Sequence, residues 1–437
     1  MEQAIFSGLA PDGGLYVPVT HPDLRGAMAG WGPEVSFLSI ATAATRALLG
    51  VELGGCGADE IARRAFAFAP ALRSLEDSLW VLELFHGPSC AFKDFGACFL
   101  AAVMDAYCAR TERTATVLVA TSGDTGSAVA QAFRGRRNVR VVILYPSGRV
   151  SDLQEKQLTT VGGNVCALEV EGSFDDCQRM AKEAFVDAEL ARTLRLTSAN
   201  SINVGRFLPQ AFSYLWAWAA MGGGRDRRSS EAALFVVPSG NLGNLASGLY
   251  AWRWGMSVAG FLAATNANDV LPEYLASGLL RPRASVRTRS NAMDVGNPSN
   301  MERILDLFGG DRSGARLVLA GEAVSDPETL HGMRDAYDRF GYVMDPHTAV
   351  GYVAERRIRA RAGRGRRGPI LLLATAHPAK FQETVREAVG LVPELPPQLL
   401  AASRGRKESV RMEPTQAALR AFLLEQLEAR CPLGGRA

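Results

Sequence analysis

Lys93 stands in the segment Leu84-Phe-His-Gly-Pro-Ser-Cys-Ala-Phe-Lys-Asp-Phe-Gly96, between Phe92 and Phe95 and beside Asp94. A lysine embedded among aromatic side chains is partly desolvated, which disfavours the ammonium and favours the free amine. A free amine is what Schiff-base formation with an aldehyde requires. On spacing alone a plainer reading stays open, in which the lysine stem lies along apolar surface at the start of a helix over 94–107 and pairs with Asp94.

Two other segments share one design: an apolar strand, a glycine-rich polar turn, then a helix start. The first is the run 116–120 followed by Thr121-Ser-Gly-Asp-Thr-Gly126 and a helix over 127–133. The second is the run 234–237 followed by Pro238-Ser-Gly-Asn-Leu-Gly-Asn244 and a helix over 245–254. Such turns set several backbone N–H groups at a helix N-terminus, where the macrodipole favours an anion and glycine admits the ligand to the backbone. Each alone is also compatible with an ordinary strand-to-helix connection; two in one chain point to phosphate or carboxylate ligands. Neither is a Walker A loop, because no Lys-Ser or Lys-Thr follows the last glycine. The segment Leu373-Ala-Thr-Ala-His-Pro-Ala-Lys-Phe381 ends a strand with a hydroxyl, Thr375, followed by a second lysine. Open α/β sheets bind ligands at the carboxyl ends of their strands, so the ends after Ala120, after Val237 and at Thr375 are expected to meet in one cleft. His377 taken alone fits a structural histidine. The run Gly363-Arg-Gly-Arg-Arg-Gly368 matches the dinucleotide-binding pattern in letters only. It follows a helix and precedes a strand, the reverse of the required order, and reads as an arginine-rich surface loop.

The elements that must position these residues are legible as alternation. From about residue 80, short aliphatic runs alternate with longer amphipathic stretches, which predicts parallel strands joined by helical crossovers. Strands are expected over 115–120, 139–145, 167–171, 233–237, 258–263 and 369–375. Residues 1–78, with turn chemistry over 8–14 and a helical pattern over 37–69, are expected to form a small N-terminal domain. Residues 79–395 are expected to form the main α/β region, which holds the candidate chemistry, and 396–437 a helical extension ending in an exposed amphipathic helix over 414–430. Surface loops are expected at 221–230 and 359–368.

Composition mostly excludes. The 437 residues carry a net charge of +3 with 21% charged, too balanced for a dedicated nucleic-acid binder. The first 16 residues lack a basic segment followed by an apolar one, and nowhere do 18 uncharged apolar residues run together, so a soluble cytoplasmic protein without a membrane partner is expected. Seven scattered cysteines never fall in C-x-x-C spacing, and the five histidines include no H-E-x-x-H, so neither a disulfide frame nor a metal site is expected. Only five lysines stand among the 48 basic residues: Lys93, Lys156, Lys182, Lys380 and Lys407.

Taken together and in order, these segments closely resemble the threonine synthase family, pyridoxal-phosphate enzymes of the tryptophan-synthase-β fold type. The matching stretches run from Gly13-Gly-Leu-Tyr-Val-Pro18 through Glu83-Leu-Phe-His-Gly-Pro-Ser89, Ala91-Phe-Lys-Asp-Phe-Gly96 and Ala120-Thr-Ser-Gly-Asp-Thr-Gly126. They continue with Leu153-Gln-Glu-Lys156, Ser198-Ala-Asn-Ser-Ile-Asn203, Pro238-Ser-Gly-Asn241, Ala264-Thr-Asn266 and Ser290-Asn-Ala-Met-Asp294, and close with Thr375-Ala-His-Pro-Ala-Lys-Phe381. The resemblance implies a fold type II architecture, two open α/β domains with the cofactor cleft between them. It implies that Lys93 carries pyridoxal 5'-phosphate, that Ser239, Gly240, Asn241, Leu242, Gly243 and Asn244 hold its phosphate, and that Thr375 hydrogen-bonds its pyridine nitrogen. Thr121, Ser122, Gly123, Asp124 and Thr125 are implied to face the substrate carboxylate and the ring hydroxyl. Lys156 and Arg206 are the candidates for the departing phosphate, with Asn200, Ser201 and Asn203 as further donors; for both cations an ordinary surface ion pair stands as the alternative. The implied reaction converts O-phospho-L-homoserine and water to L-threonine and phosphate. The alternative is a phospholyase releasing phosphate and a 2-oxo acid, and the Ser-Gly-Asn of the loop favours the synthase. A non-catalytic relative is disfavoured by the intact Lys93 segment. A monomer and a dimer are both left open. The chain departs from the family where Leu242-Gly-Asn244 replaces the usual Phe-Gly-Asp, and where Ser89-Cys90 precedes the lysine in place of Thr-Leu.

Overall fold

The computed structural model describes residues 1–121, 123–223, 232–362 and 368–433. Two short helices, Glu2–Ser7 and Arg25–Met28, precede the long helix Phe37–Ala65, capped by Ser36, whose hydroxyl accepts the Ser39 N–H. Strands β1 (Ala71–Glu76) and β2 (Leu79–Glu83) form an antiparallel pair. There follow β3 (Ala115–Ala120), β4 (Val139–Pro146), β5 (Val165–Val170) and β6 (Leu196–Thr197). Then come β7 (Leu234–Pro238), β8 (Gly260–Thr265), β9 (Leu319–Ala323), β10 (Ile370–Ala374) and β11 (Val410–Met412).

They make two sheets. One has the order β11-β5-β4-β3-β6, the other β1-β2-β10-β7-β8-β9, and every pairing except β1 with β2 is parallel. The expected α/β architecture is therefore present, and each of the six expected strands lies within about two residues of an observed one. β1, β2, β6, β9 and β11 were not expected. Leu-Ala-Gly-Glu-Ala of β9 has no β-branched residue, and β11 is three residues long, so neither carries a strand signal of its own.

Both faces of each sheet are covered, which is why the strands read as continuous apolar runs. In β7, Phe235 and Val237 enter a central core while Leu234 and Val236 face a second one; in β3, Val117 and Val119 enter the central core while Leu118 and Ala120 face a third. The central core also receives Ile5, Leu24, Phe37, Ile40 and Leu49, so the N-terminal segment packs onto the same apolar mass. The helix Phe37–Ala65 is long and apolar enough to cross a membrane, with mean hydropathy 1.3, but it breaks at Gly54 (φ 72°, ψ 161°) and buries one face in this core.

Two expectations need correction. The helical stretch over 414–430 is amphipathic but not exposed: Leu419, Phe422, Leu423 and Leu427 pack into the third core against Leu118, Leu144 and Leu168. Its apolar stripe completes, with Cys177, Met180 and Ala184 of the helix Phe174–Val186, the cover over the outer face of the five-stranded sheet. Phe422→Ala is expected to cost about 3 kcal/mol, read as a lowered urea midpoint. Second, Arg359 to Arg361 belong to the last turn of the helix Pro346–Ala362 and not to a loop. Residues 363–367, which hold all of the glycine pattern but Gly368, and 224–230 of the other expected loop lie outside the described residues.

The registers bring the strand ends together. Ile370 is level with Leu234 and Ala374 with Glu83, while Pro238 is level with Ala264. Leu84, Thr375, Ser239 and Thr265 thus emerge side by side, about 4.8 Å apart from one strand to the next. The Leu84 N–H donates to Ala374 O at 2.9 Å and the Ser239 N–H to Ala264 O at 2.8 Å.

Candidate active site

Lys93 begins the helix Lys93–Thr111 and is pinned to the end of β10. The Phe92 N–H donates to Thr375 O at 2.8 Å, and Ala91 bridges Ala376. Nearly every side chain of the helix from Asp94 to Cys108 is buried, so it has no polar face to turn outward. Asp94 is fully buried and does not pair with Lys93. Its carboxylate accepts the Ser89 N–H at 2.9 Å and holds the 87–89 loop so closely that a Cβ on Gly87 would lie 2.4 Å from an Asp94 oxygen. Burial raises the Asp94 carboxyl to about 6. The folded chain therefore keeps this proton to about pH 6, whereas an unfolded aspartate releases it near 3.9, and stability falls as pH rises between those values. Asp94→Asn keeps the acceptor without the charge. It should be more stable than the wild type at pH 7, with the gain vanishing below about pH 4 in thermal melts.

The partner of Lys93 is Asp124, the first residue of the helix Asp124–Phe133 after β3. Lys93 Nζ lies 3.6 Å from Asp124 Oδ2, and its side chain is 16% exposed. Lys380 Nζ reaches the other oxygen, Oδ1, at 2.8 Å and Ser89 O at 2.9 Å with no exposure. Gln154 Nε2 adds a third contact to Asp124, at 3.0 Å. Burial lowers the proton affinity of the Lys93 amine, Asp124 raises it, and Lys380 and Arg206 lower it again; the net direction is down. Burial alone would push the Asp124 carboxyl up, but Lys380 and then Lys93 hold it far below the ordinary carboxylate range. Two lysines and one carboxylate from three elements thus form one buried cluster.

The loop 239–244 is a cradle. Leu242 is left-handed (φ 60°, ψ 2°) immediately before the helical Gly243, and such a reversal turns successive N–H groups toward one point. Among the described residues the amides of 240–245 have no acceptor. The Asn241 carbonyl is drawn the other way by Asn300 Nδ2 at 2.8 Å, so the Leu242 N–H of the same peptide faces into the loop. Asn300 is held in turn by Arg303, which also donates to Ser201 O and Ile202 O. A Cβ on Gly240 would lie 2.6 Å from Met293 Cα, so only glycine admits the Ser290–Asp294 turn over this loop. That turn is fixed by the Ala292 N–H donating to His347 Nε2 at 3.2 Å, with His347 Nδ1 on Asp345 at 2.7 Å. These donors suit a phosphate, and the buried amine suits an aldehyde.

Several expected residues lie elsewhere or act otherwise. Asn203 is no substrate donor. Its amide donates to Ile5 O and Ser198 O at 2.8 Å each, and its oxygen caps Gly205, so its bonding capacity is used. Lys156 donates to Gly405 O at 2.6 Å and is directed at the C-terminal arm. From the same helix it is Gln154 that enters the cluster, and Gln157 donates to Ser89 O at 3.1 Å. Thr121 Oγ1 accepts the amides of Gly123 and Gly126 at 3.0 and 2.9 Å, filling part of the first loop internally. Thr125 is half-buried in the helix's first turn, and Ser122 lies outside the described residues. Asp124 is itself an anion and faces amines, not a substrate carboxylate. Ser201 Oγ accepts Asn241 Nδ2 at 2.8 Å, joining the cradle. Arg206 is buried, bonded to Ala199 O at 2.7 Å, with its Nε unpartnered, and Asn200 keeps a buried oxygen without a donor. The Ser239 hydroxyl turns back to Val237 O at 2.8 Å, and Asn244 Oδ1 receives the Tyr214 hydroxyl at 3.0 Å. His377 caps Ala379 and is lowered to about 4 by burial and His86, a structural role. Cys90 is pushed up to about 12 by burial and is no nucleophile. Lys380, Gln154, Asn300 and Arg303 had no site role in the sequence reading. Only Lys380 carried a signal, as a lysine kept where arginine prevails.

Known proteins resemble the chain along nearly its whole length. Residues 64–376 match the model "Pyridoxal-phosphate dependent enzyme", residues 1–55 "Threonine synthase N terminus" and residues 348–423 "Threonine synthase, C-terminal". The threonine synthase of Serratia marcescens is 41% identical over 423 residues, 97% of this chain and 95% of that one. The crystal structure of threonine synthase from Escherichia coli superposes with a TM-score of 0.85 at 39% identity, covering 97% of this chain and 96% of that one. The pyridoxal-phosphate-bound threonine synthase of Brucella melitensis gives 0.87 at 33% identity, covering 96% and 95%. With a lysine amine buried where parallel strands end, a cradle of unpaired amides beside it and relatives matched along nearly their whole length, the chain belongs to the threonine synthase family of pyridoxal-phosphate-dependent enzymes.

Proposed function

We propose that the protein converts O-phospho-L-homoserine and water to L-threonine and phosphate, with Lys93 as the residue that bears the cofactor and relays protons. The observation that carries this reading is the buried Lys93 amine, set against Asp124 at the ends of the parallel strands. When bound, pyridoxal phosphate supplies the electron sink that stabilises negative charge on the substrate carbon skeleton. The amides of Gly240 to Asn244 would hold its phosphate, and the Thr375 hydroxyl would be the partner of its pyridine nitrogen. A hydroxyl, unlike a carboxylate, leaves that nitrogen unprotonated and moderates the sink. The Lys93 amine, once free, takes a proton from substrate Cα and then from Cβ. It returns one proton to Cγ once the Cγ–O bond to phosphate has broken and, after water has added its hydroxyl at Cβ, the other to Cα, while the proton of that water leaves with the phosphate. Arg206 offers the departing phosphate a fixed positive charge, supported by its burial and its unpartnered Nε. In this reading 1–78 is an N-terminal domain, 79–395 the catalytic region and 396–437 a C-terminal extension, in a soluble cytoplasmic enzyme acting on a small molecule. The test is a product assay: O-phospho-L-homoserine is supplied and threonine is quantified against 2-oxobutanoate. Threonine in excess supports the synthase, and predominant oxo acid would transfer the reading to a phospholyase.

A further inference from the structure

We infer that Lys380 is a positioning residue that keeps the Lys93 amine unprotonated, by holding the Asp124 charge that would otherwise fix Lys93 as an ammonium. The inference rests on the reading of Lys93 as the cofactor-bearing residue.

A buried carboxylate next to a buried lysine is ordinarily an obstacle to amine chemistry, because the neutral arrangement of such a pair is carboxylate and ammonium. Asp124 stands in that position toward Lys93. The second lysine changes the count. Lys380 Nζ is the closer of the two, at 2.8 Å against 3.6 Å, and its second partner, Ser89 O at 2.9 Å, is likewise an acceptor only. Asp124 Oδ1 is further occupied by Gln154 at 3.0 Å, leaving only Oδ2, beyond hydrogen-bond length, toward Lys93. With Lys380 and Asp124 both charged, the cluster is neutral only when Lys93 is an amine. A proton on Lys93 would add an uncompensated charge in a site where burial makes that costly.

Of the other described groups near Lys93, only the Phe92 ring, 5.1 Å from Nζ, favours the ammonium. Arg206, from the helix Val204–Phe207, adds positive charge, and Asp94 on the lysine's own helix is turned to Ser89. Lys380 is held in register by its backbone. It lies in the turn Pro378–Phe381 that follows β10 directly, and its N–H donates to His377 O at 3.0 Å. Remove Lys380, and Asp124 with Lys93 becomes the self-neutral pair, so the sign of the effect reverses.

The test reads the amine itself. Full-length, cofactor-free protein is labelled with trace acetic anhydride from about pH 6 to about pH 11, and acetylation at residue 93 is followed by mass spectrometry. Lys380→Met is expected to raise the labelling midpoint of Lys93 by about 1 to 3 pH units, at least a tenfold loss of labelling near pH 8. Lys380→Arg retains the charge and should stay near the wild type. Asp124→Asn should move the midpoint downward, which no general loss of packing predicts. Should Lys380→Met fail to fold, Lys380→Arg and Asp124→Asn still decide by direction. An unchanged midpoint in folded Lys380→Met, an upward move in Asp124→Asn, or Lys380 acetylating at lower pH than Lys93 overturns the inference. A wild type that never acquires pyridoxal phosphate would instead overturn the proposed function and leave these midpoints to be read on their own.

Discussion

Lys93→Ala is expected to make no measurable threonine, a loss of at least about 10³-fold, and to purify without the visible absorption that the wild type shows with bound cofactor. The size of the effect follows from the number of tasks the proposed function places on one amine, which are to hold the cofactor and then to move protons at Cα, Cβ and Cγ. Each depends on a nitrogen that can exist uncharged. Lys93→Arg separates that requirement from charge. Arginine has most of the reach but carries a permanent positive charge and cannot become a neutral amine in a protein. It should be as inactive as the alanine variant. Threonine formation by Lys93→Arg at more than about a hundredth of the wild-type rate would sink the assignment. Absorbance and product formation, measured on protein whose far-ultraviolet dichroism matches the wild type, check both.

The second large effect lies three residues further on. A Cβ on Gly96 would sit 2.2 Å from the Arg206 carbonyl oxygen and 3.0 Å from Arg206 Cγ. Real Cβ atoms do not approach backbone so closely, so Gly96→Ala must drive the helix Lys93–Thr111 from the helix Val204–Phe207. Neither has slack, since Phe95, Leu100 and Phe207 are buried in the same core. A destabilisation of about 3 kcal/mol is expected, read as a lowered urea midpoint. The same displacement moves Lys93 at the helix start relative to Asp124, so any folded fraction should bind pyridoxal phosphate more weakly than the wild type. A Gly96→Ala protein with wild-type stability and cofactor affinity would refute the packing account.

Some of the site was written locally. Lys93 among its aromatics, the turn with Leu242 before a helix and the hydroxyl of Thr375 at a strand end are readable because each signal lies within a few adjacent residues. The parallel strands were readable for the same reason: burial on both faces demands apolar runs. The paired lysine was not. Lys380 meets Ser89 across 291 positions of sequence, and no local pattern says that it will share Asp124 with Lys93. Asn203 misled because a polar residue in a site motif looks the same whether its amide faces a ligand or caps a helix. Gln154 was hidden behind Lys156, its neighbour on the same short helix, because charge draws attention that direction does not earn.

Strand chemistry thus determined by itself the α/β class, and the order of the motifs, through the resemblance they carry, pointed to the family and to Lys93 as the proposed cofactor-bearing lysine. The tertiary structure decided which carboxylate faces that lysine, that a second lysine is closer to the same carboxylate, and that Asn300 and Arg303 orient the cradle. The physical reason is one of range. Propensity and turn chemistry act between neighbours in the chain, whereas the charge balance of a buried cluster is a sum over groups that only the packing of separate strands and helices brings within a few ångströms.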